Sequence, residues 1–140
     1  MSKAATSFKL KNALTELDSL FQHIEQFGRS VELPKKQIFQ INLALDELFT
    51  NIVSYGYTDS NSHWIVFRLS LVNDAVIIRI EDNGVPFDPV AAPTSGSAAP
   101  LENCKIGGLG LHIVKKMMDE IAYERRGDKN IITIKKQVRP

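Results

Sequence analysis

Apolar residues along this chain recur with two periods, and the switches between them mark out its elements. In TSFKLK (6–11) apolar and polar positions alternate, which predicts a short edge strand. Leu14, Leu17, Phe21 and Ile24 then fall at helical spacing and predict a helix from Ala13 to about Phe27, with Asn12 as its N-cap and Gly28 as its end. Pro34 suits the first turn of a second helix that runs to about Tyr55. Within it Ile41, Leu45, Leu48 and Ile52 form one stripe at about 100° per residue. WIVFRLSLVN and AVIIRIED read as two strands joined by a tight turn at Asn73-Asp74, and EIAYERRGDKNIITIKKQV reads as a second hairpin turning at Gly127-Asp128.

One stretch fits neither period. Between Gly84 and Lys105 lies GVPFDPVAAPTSGSAAPLENCK, which holds four of the six prolines. A loop of this length inside a domain is a functional lid or a tolerated insertion, since added loop length costs little entropy. It joins an acidic strand end to KIGGLGLHIVKK (105–116), where three glycines in four positions open a helix.

Composition narrows the classes. At 140 residues the chain is long enough for one domain with a hydrophobic core, and 44% apolar with 24% charged residues is ordinary for a globular protein. A net charge of +1 gives no electrostatic case for direct nucleic-acid or membrane binding. The single cysteine, Cys104, makes no internal disulfide and supplies no metal cluster. No signal-peptide apolar core or membrane-length run is seen, so the expected compartment is the cytoplasm. His23, His63 and His112 read as surface or core-edge residues.

Three motifs carry candidate chemistry. Glu47 and Asn51 are four apart and share one flank of the second helix, while Asp46 points away and reads as surface. Taken alone, such a pair is most simply solvent-facing. EDNGVPF (81–87) puts Glu81-Asp82 at the end of a buried strand, with Gly84 allowing close approach to the backbone. D-N-G by itself is a turn. Gly107, Gly108 and Gly110 leave N–H groups uncovered at the positive end of a helix, an anion site to which Lys105 can add charge. The same glycines could simply permit tight helix packing. A dinucleotide fold explains them poorly, because a lid-like loop rather than a strand precedes them, and this is no P-loop, because G-x-x-x-x-G-K-[ST] is absent.

In this order, E-x-x-x-N, D-x-G-x-P-F, a long lid and G-G-x-G-L resemble the GHKL ATPase/kinase superfamily. Within it the chain is similar to the small anti-sigma-factor serine/threonine kinases of the RsbW type, the HATPase_c_2 domains. The resemblance spans nearly the whole chain. It implies one α+β domain over residues 1–140: a two-layer α/β sandwich with helices on one face of a mixed, mostly antiparallel sheet, and a lid at about 85–106. ATP would lie between the helices and under that lid. Asn51 would ligate Mg2+ bridging the phosphate oxygens, as an amide oxygen suits a hard cation. Asp82 would accept from the adenine amino group, and Gly84 would let the base lie against the backbone. Gly107, Gly108, Leu109 and Gly110 would offer N–H groups to phosphate, Lys105 would neutralise the terminal phosphate, and Thr133 would help hold the adenine. Glu47 matches the glutamate that serves such kinases as general base.

Departures sharpen the subgroup. NIVSYGY replaces the frequent N-A-I-x-H-A-Y: Tyr57 matches, whereas Tyr55 and Gly56 stand for His-Ala, which touches local packing more than nucleotide binding. D-x-G-x-P-F in place of D-x-G-x-G, and the lack of a phosphoacceptor helix, separate the chain from histidine kinases. The leading expectation is an anti-sigma kinase that phosphorylates a STAS-domain antagonist in a partner switch, acting as a homodimer. The alternative is an ATP-binding module that holds its partner with little phosphotransfer; Glu47 favours the kinase. A part of a larger gyrase-like machine is disfavoured by the short length and the lack of a transducer domain.

Overall fold

The computed structural model describes residues 4–89 and 108–138, with the backbone alone at 108–110. Strand β1 (Ala4–Lys11) leads through a 3-10 turn (Leu14–Glu16) into helix α1 (Leu17–Ser30) and then α2 (Lys35–Tyr55). Strands β2 (Trp64–Val72) and β3 (Ala75–Asp82) follow, then α3 (Gly108–Met117), β4 (Glu120–Arg126) and β5 (Lys129–Gln137). The sheet order is β1-β2-β3-β5-β4 and every neighbouring pair is antiparallel, so no parallel pair occurs among the described strands of the expected mixed sheet. β4 and β5 meet as a hairpin, and β5 slots in beside β3.

Alternation along the strands decides which face the helices cover. Ile65, Phe67 and Leu69 of β2, Val76, Ile78 and Ile80 of β3, and Ile132 and Ile134 of β5 are buried in one cluster. They meet Leu20 and Ile24 of α1, the predicted stripe Ile41, Leu45, Leu48 and Ile52 of α2, and Leu111 and Val114 of α3. Phe8 stacks on Phe67 at 5.0 Å between centroids, and Phe49 of α2 packs on Phe67 at a tilt, 6.0 Å between centroids. A two-layer α/β sandwich with its helices on one face results.

Both hairpins fold where the turn residues place them. Val72 pairs with Ala75, and the two residues between, Asn73 and Asp74, take positive φ of 52° and 66°, as a type I′ turn requires. Arg126 pairs with Lys129 across Gly127 (φ 62°).

The first helix departs from expectation at both ends. Asn12 does not cap it: Asn12 Oδ1 accepts from the His63 amide at 2.9 Å, and the Asn12 amide donates to the His63 carbonyl at 3.0 Å. A long-range partner has claimed the side chain that would have capped the helix. Gly28 does not end it either. The helix runs on to Ser30 and the chain reverses at Glu32, whose φ is 61°. Gly28 is buried where α1 meets α2, and a Cβ there would stand 2.6 Å from Ile38 Cγ1. Its function is close approach, so Gly28→Ala should cost about 1–2 kcal/mol in denaturant unfolding despite alanine's better helix propensity. Ile38→Val, which removes the colliding Cδ1, should recover part of that loss. Pro34 lies one residue ahead of its expected place, with α2 opening at Lys35.

Candidate functional site

Helix α2 supplies one wall of the site. Its buried stripe turns Asn51 and Tyr55 toward the end of the sheet, and both line a small cleft together with Asp82, Phe87 and Asn130. The Asn51 Nδ2 is buried and has no hydrogen-bond partner. An unpaired buried amide is costly unless something else satisfies it, and this one belongs to a residue that lines the cleft. Glu47 sits one turn back, about 6 Å along the helix axis. Burial, and then the charge of Asp46, push its carboxyl above the ordinary value. Asp46, expected at the surface, is only partly exposed and accepts from Thr50 Oγ1 at 3.1 Å.

The opposite wall is the end of β3. Asp82 is 5% exposed. Its Oδ1 accepts from the Gly84 amide at 2.8 Å and from Asn130 Nδ2 at 3.0 Å, so both bonds fall on one oxygen and leave Oδ2 for a ligand. Burial pushes this carboxyl above the usual aspartate range, opposed by the two hydrogen bonds and the charge of Arg125. The turn after β3 is held against the end of α2, where the Val85 amide donates to the Gly56 carbonyl at 2.7 Å. A Cβ on Gly84 would collide with that same carbonyl, so glycine is required for this close backbone contact. The NIVSYGY departure thus sits where α2 meets the turn, and Tyr55, 43% exposed, adds an aromatic edge to the cleft.

Helix α3 begins at Gly108, so Gly108, Leu109 and Gly110 form its first turn, as expected of the glycine run. Lys105 and Gly107, and residues 90–106 of the expected lid, lie outside the described residues. The other end of α3 is anchored by Lys136, whose Nζ donates to the Met117 carbonyl at 2.7 Å and complements the negative end of the helix.

Residues 10–136 match the family described as the histidine kinase-like ATPase domain. The chain belongs to this family. Among relatives of this ATPase domain, the serine/threonine-protein kinase BtrW of Bordetella bronchiseptica is 29% identical over 135 residues, covering 96% of this chain and 94% of BtrW. The serine-protein kinase RsbW of Halalkalibacterium halodurans is 31% identical over 100 residues, and the match spans 68% of this chain but only 59% of that kinase. An anti-sigma F factor of Clostridium perfringens is 23% identical over 119 residues, covering 85% of this chain and 82% of that protein. A solved structure of the RsbU and RsbW domains of Rv1364c from Mycobacterium tuberculosis superposes with a TM-score of 0.70. At 16% identity, with 98% of this chain and 33% of that one covered, it speaks for the fold.

Strand register sets one expected site residue of this ATPase domain apart from the others. Thr133 pairs with Arg79, whereas Asp82 pairs with Asn130 three residues earlier. Because side chains alternate along a strand, Thr133 lies on the sheet face away from the helices and the cleft. Asn130 and Ile132 face the cleft in its place. Asn130 was not among the expected residues; counting the register back from the Gly127 turn would have placed it on the cleft face.

Proposed function

We propose that this chain is an ATP-dependent anti-sigma kinase that phosphorylates a serine or threonine of a STAS-domain antagonist. The coarser part stands on the family and its relatives: the chain is a protein serine/threonine kinase that uses ATP and is related to partner-switch regulators. The observation that carries the finer reading is the cleft, which Asn51 of α2 and the buried carboxylate of Asp82 on β3 line together. In this reading adenine takes the carboxylate end, with its amino group donating to Asp82 Oδ2 and its face beside Phe87 and Ile132. The phosphates would then run toward Asn51 and the first turn of α3, where Gly108, Leu109 and Gly110 would offer N–H groups; the roles proposed for Lys105 and Gly107 rest on the family resemblance alone.

Mg2+ fits the donor set. The amide oxygen of Asn51, a residue that lines the cleft, would be its protein ligand, and phosphates and water the rest. When bound, the ion would supply charge neutralisation on the phosphates. Glu47 acts on the acceptor: it takes the proton from the incoming hydroxyl as that oxygen bonds to the γ-phosphorus, and the bond to the β-phosphate oxygen breaks to release ADP. Positioning and charge do most of the work in such a transfer.

The regulatory reading follows from the same relatives. The kinase would hold a sigma factor until the unphosphorylated antagonist displaces it, working as a cytoplasmic homodimer with 1–140 as its single ATP-binding domain. No helix among the described residues is long and apolar enough to cross a membrane. The test is titration with ATP with and without Mg2+, then incubation with labelled ATP and STAS-domain proteins. Mg2+-dependent binding with label on a partner serine or threonine is the expected result. Binding without transfer to any candidate would replace the kinase by a holding module, and no ATP binding would end both readings.

A further inference from the structure

Three strands place a row of polar side chains across the sheet at the base of the cleft. Arg125 on β4 pairs with Asn130 on β5, and Asn130 pairs with Asp82 on β3. Asn130 is 3% exposed, and each of its amide atoms is committed. Its Oδ1 accepts from the Tyr123 hydroxyl at 2.6 Å and from Arg125 at 3.2 Å. Its Nδ2 donates to Asp82 Oδ1 at 3.0 Å and to the Val85 carbonyl at 2.8 Å. Turning the amide over would set its NH2 against a guanidinium and its oxygen against a carboxylate, so one orientation is enforced. Arg125 also donates to the Gly84 carbonyl at 2.8 Å, which ties the turn itself to the edge strand.

We infer that Asn130, braced by Tyr123 and Arg125, is a positioning residue that reserves one oxygen of Asp82 for a base amino group and thereby sets the preference for adenine over guanine. This rests on the nucleotide reading above and adds to it the device that enforces base choice. The donors of Asn130 are spent inside the protein, so it reads no base itself and acts through Asp82. With Oδ1 occupied by Gly84 and Asn130, the carboxylate cannot rotate, and Oδ2 presents an acceptor at the cleft. The 6-amino group of adenine donates to that oxygen, while the 6-oxo group of guanine would face it with like charge. The brace begins on β4, an edge strand that carries none of the family motifs, so the choice of base depends on residues outside them.

The experiment measures dissociation constants for ATP, GTP and inorganic pyrophosphate in the native protein and in variants. Native protein that binds ATP well above GTP is the starting requirement; no ATP binding there would overturn the nucleotide reading and this inference with it. Asn130→Ala should weaken ATP about tenfold to a hundredfold, the scale of a hydrogen bond to a charged group. GTP and pyrophosphate should change by less than about twofold. Tyr123→Phe, which keeps the ring in the core and removes only the hydroxyl, should weaken ATP about threefold. It should add nothing in the Asn130→Ala background, because both act through one chain of bonds. Equal losses of ATP and pyrophosphate in Asn130→Ala would reduce Asn130 to a structural role and overturn the inference. An unchanged ATP-to-GTP ratio in Tyr123→Phe, or additive effects of the two changes, would overturn it as well. Tyr123→Phe also keeps the question open to decision if Asn130→Ala fails to fold.

Discussion

Glu47→Ala should lower phosphotransfer to the partner protein by about two to four decades, the usual contribution of a general base, while ATP affinity stays within about twofold. The separation follows from position. Glu47 lies one turn behind Asn51 on α2 and outside the cleft lining, so it is not needed to hold the nucleotide. Its carboxyl is raised by burial first and by Asp46 second, which makes it a better proton acceptor than an ordinary surface glutamate. The sign of the pH effect follows. The rate should fall as pH drops through this raised pKa, so its acid limb lies above the ordinary glutamate value of 4.5. Glu47→Gln keeps the shape and should lose the same activity. For stability the sign is opposite: a raised carboxyl favours the folded state at low pH, and that contribution disappears as pH rises through the folded-state pKa. Glu47→Gln should therefore unfold no earlier than the native protein at neutral pH. Single-turnover transfer with saturating ATP is the measurement, and a variant that transfers at the native rate would remove Glu47 from the chemistry.

Asp82→Asn should abolish most ATP affinity, a loss of about a hundredfold or more, with pyrophosphate binding nearly unchanged. Asparagine keeps the turn, because its own oxygen can still accept from the Gly84 amide and from Asn130 Nδ2. Its amino group then takes the place of Oδ2 in the cleft, and a donor meets the amino group of adenine. The fold should not suffer. Burial is the largest influence on the Asp82 carboxyl and raises it, so the ionised form is a cost to the folded state at neutral pH that the amide removes. A thermal midpoint at or above that of the native protein, beside the loss of ATP, is the expected pair of results. Equal loss of ATP and pyrophosphate, or a large fall in the midpoint, would make Asp82 a structural residue. In the native protein ATP affinity should also fall as pH drops through the raised Asp82 pKa, while pyrophosphate affinity should lack that limb.

Much of the fold was legible in local pattern. The period-2 runs became β1 to β5, the α2 stripe went into the core, and Asn73-Asp74 made the turn its residues favour. These features depend on neighbours along the chain, which sequence displays directly. The errors arose where a distant partner competes. Asn12 is a good helix cap by type, yet it bonds His63, 51 residues away. Gly28 is a good helix stop by type, yet Ile38 of the next helix needs the space a side chain would fill. Local preference is worth about 1 kcal/mol at such positions, and a single tertiary contact is enough to override it.

The site divides along the same line. Sequence by itself determined the order and spacing of Glu47, Asn51, Asp82, Gly84 and the glycines that open α3, because those residues sit at helix spacings and element ends that a linear pattern reveals; the chemistry proposed for them is what the family resemblance implies. Tertiary structure alone decided which of them face one another across the cleft, that Asn51 is left with an unpaired amide atom, and that both bonds to Asp82 fall on one oxygen. It also put Asn130 in the place expected of Thr133. The physical reason is strand register: two residues on one strand separated by an odd number point to opposite faces, and only pairing with β3 determines which face is the inside.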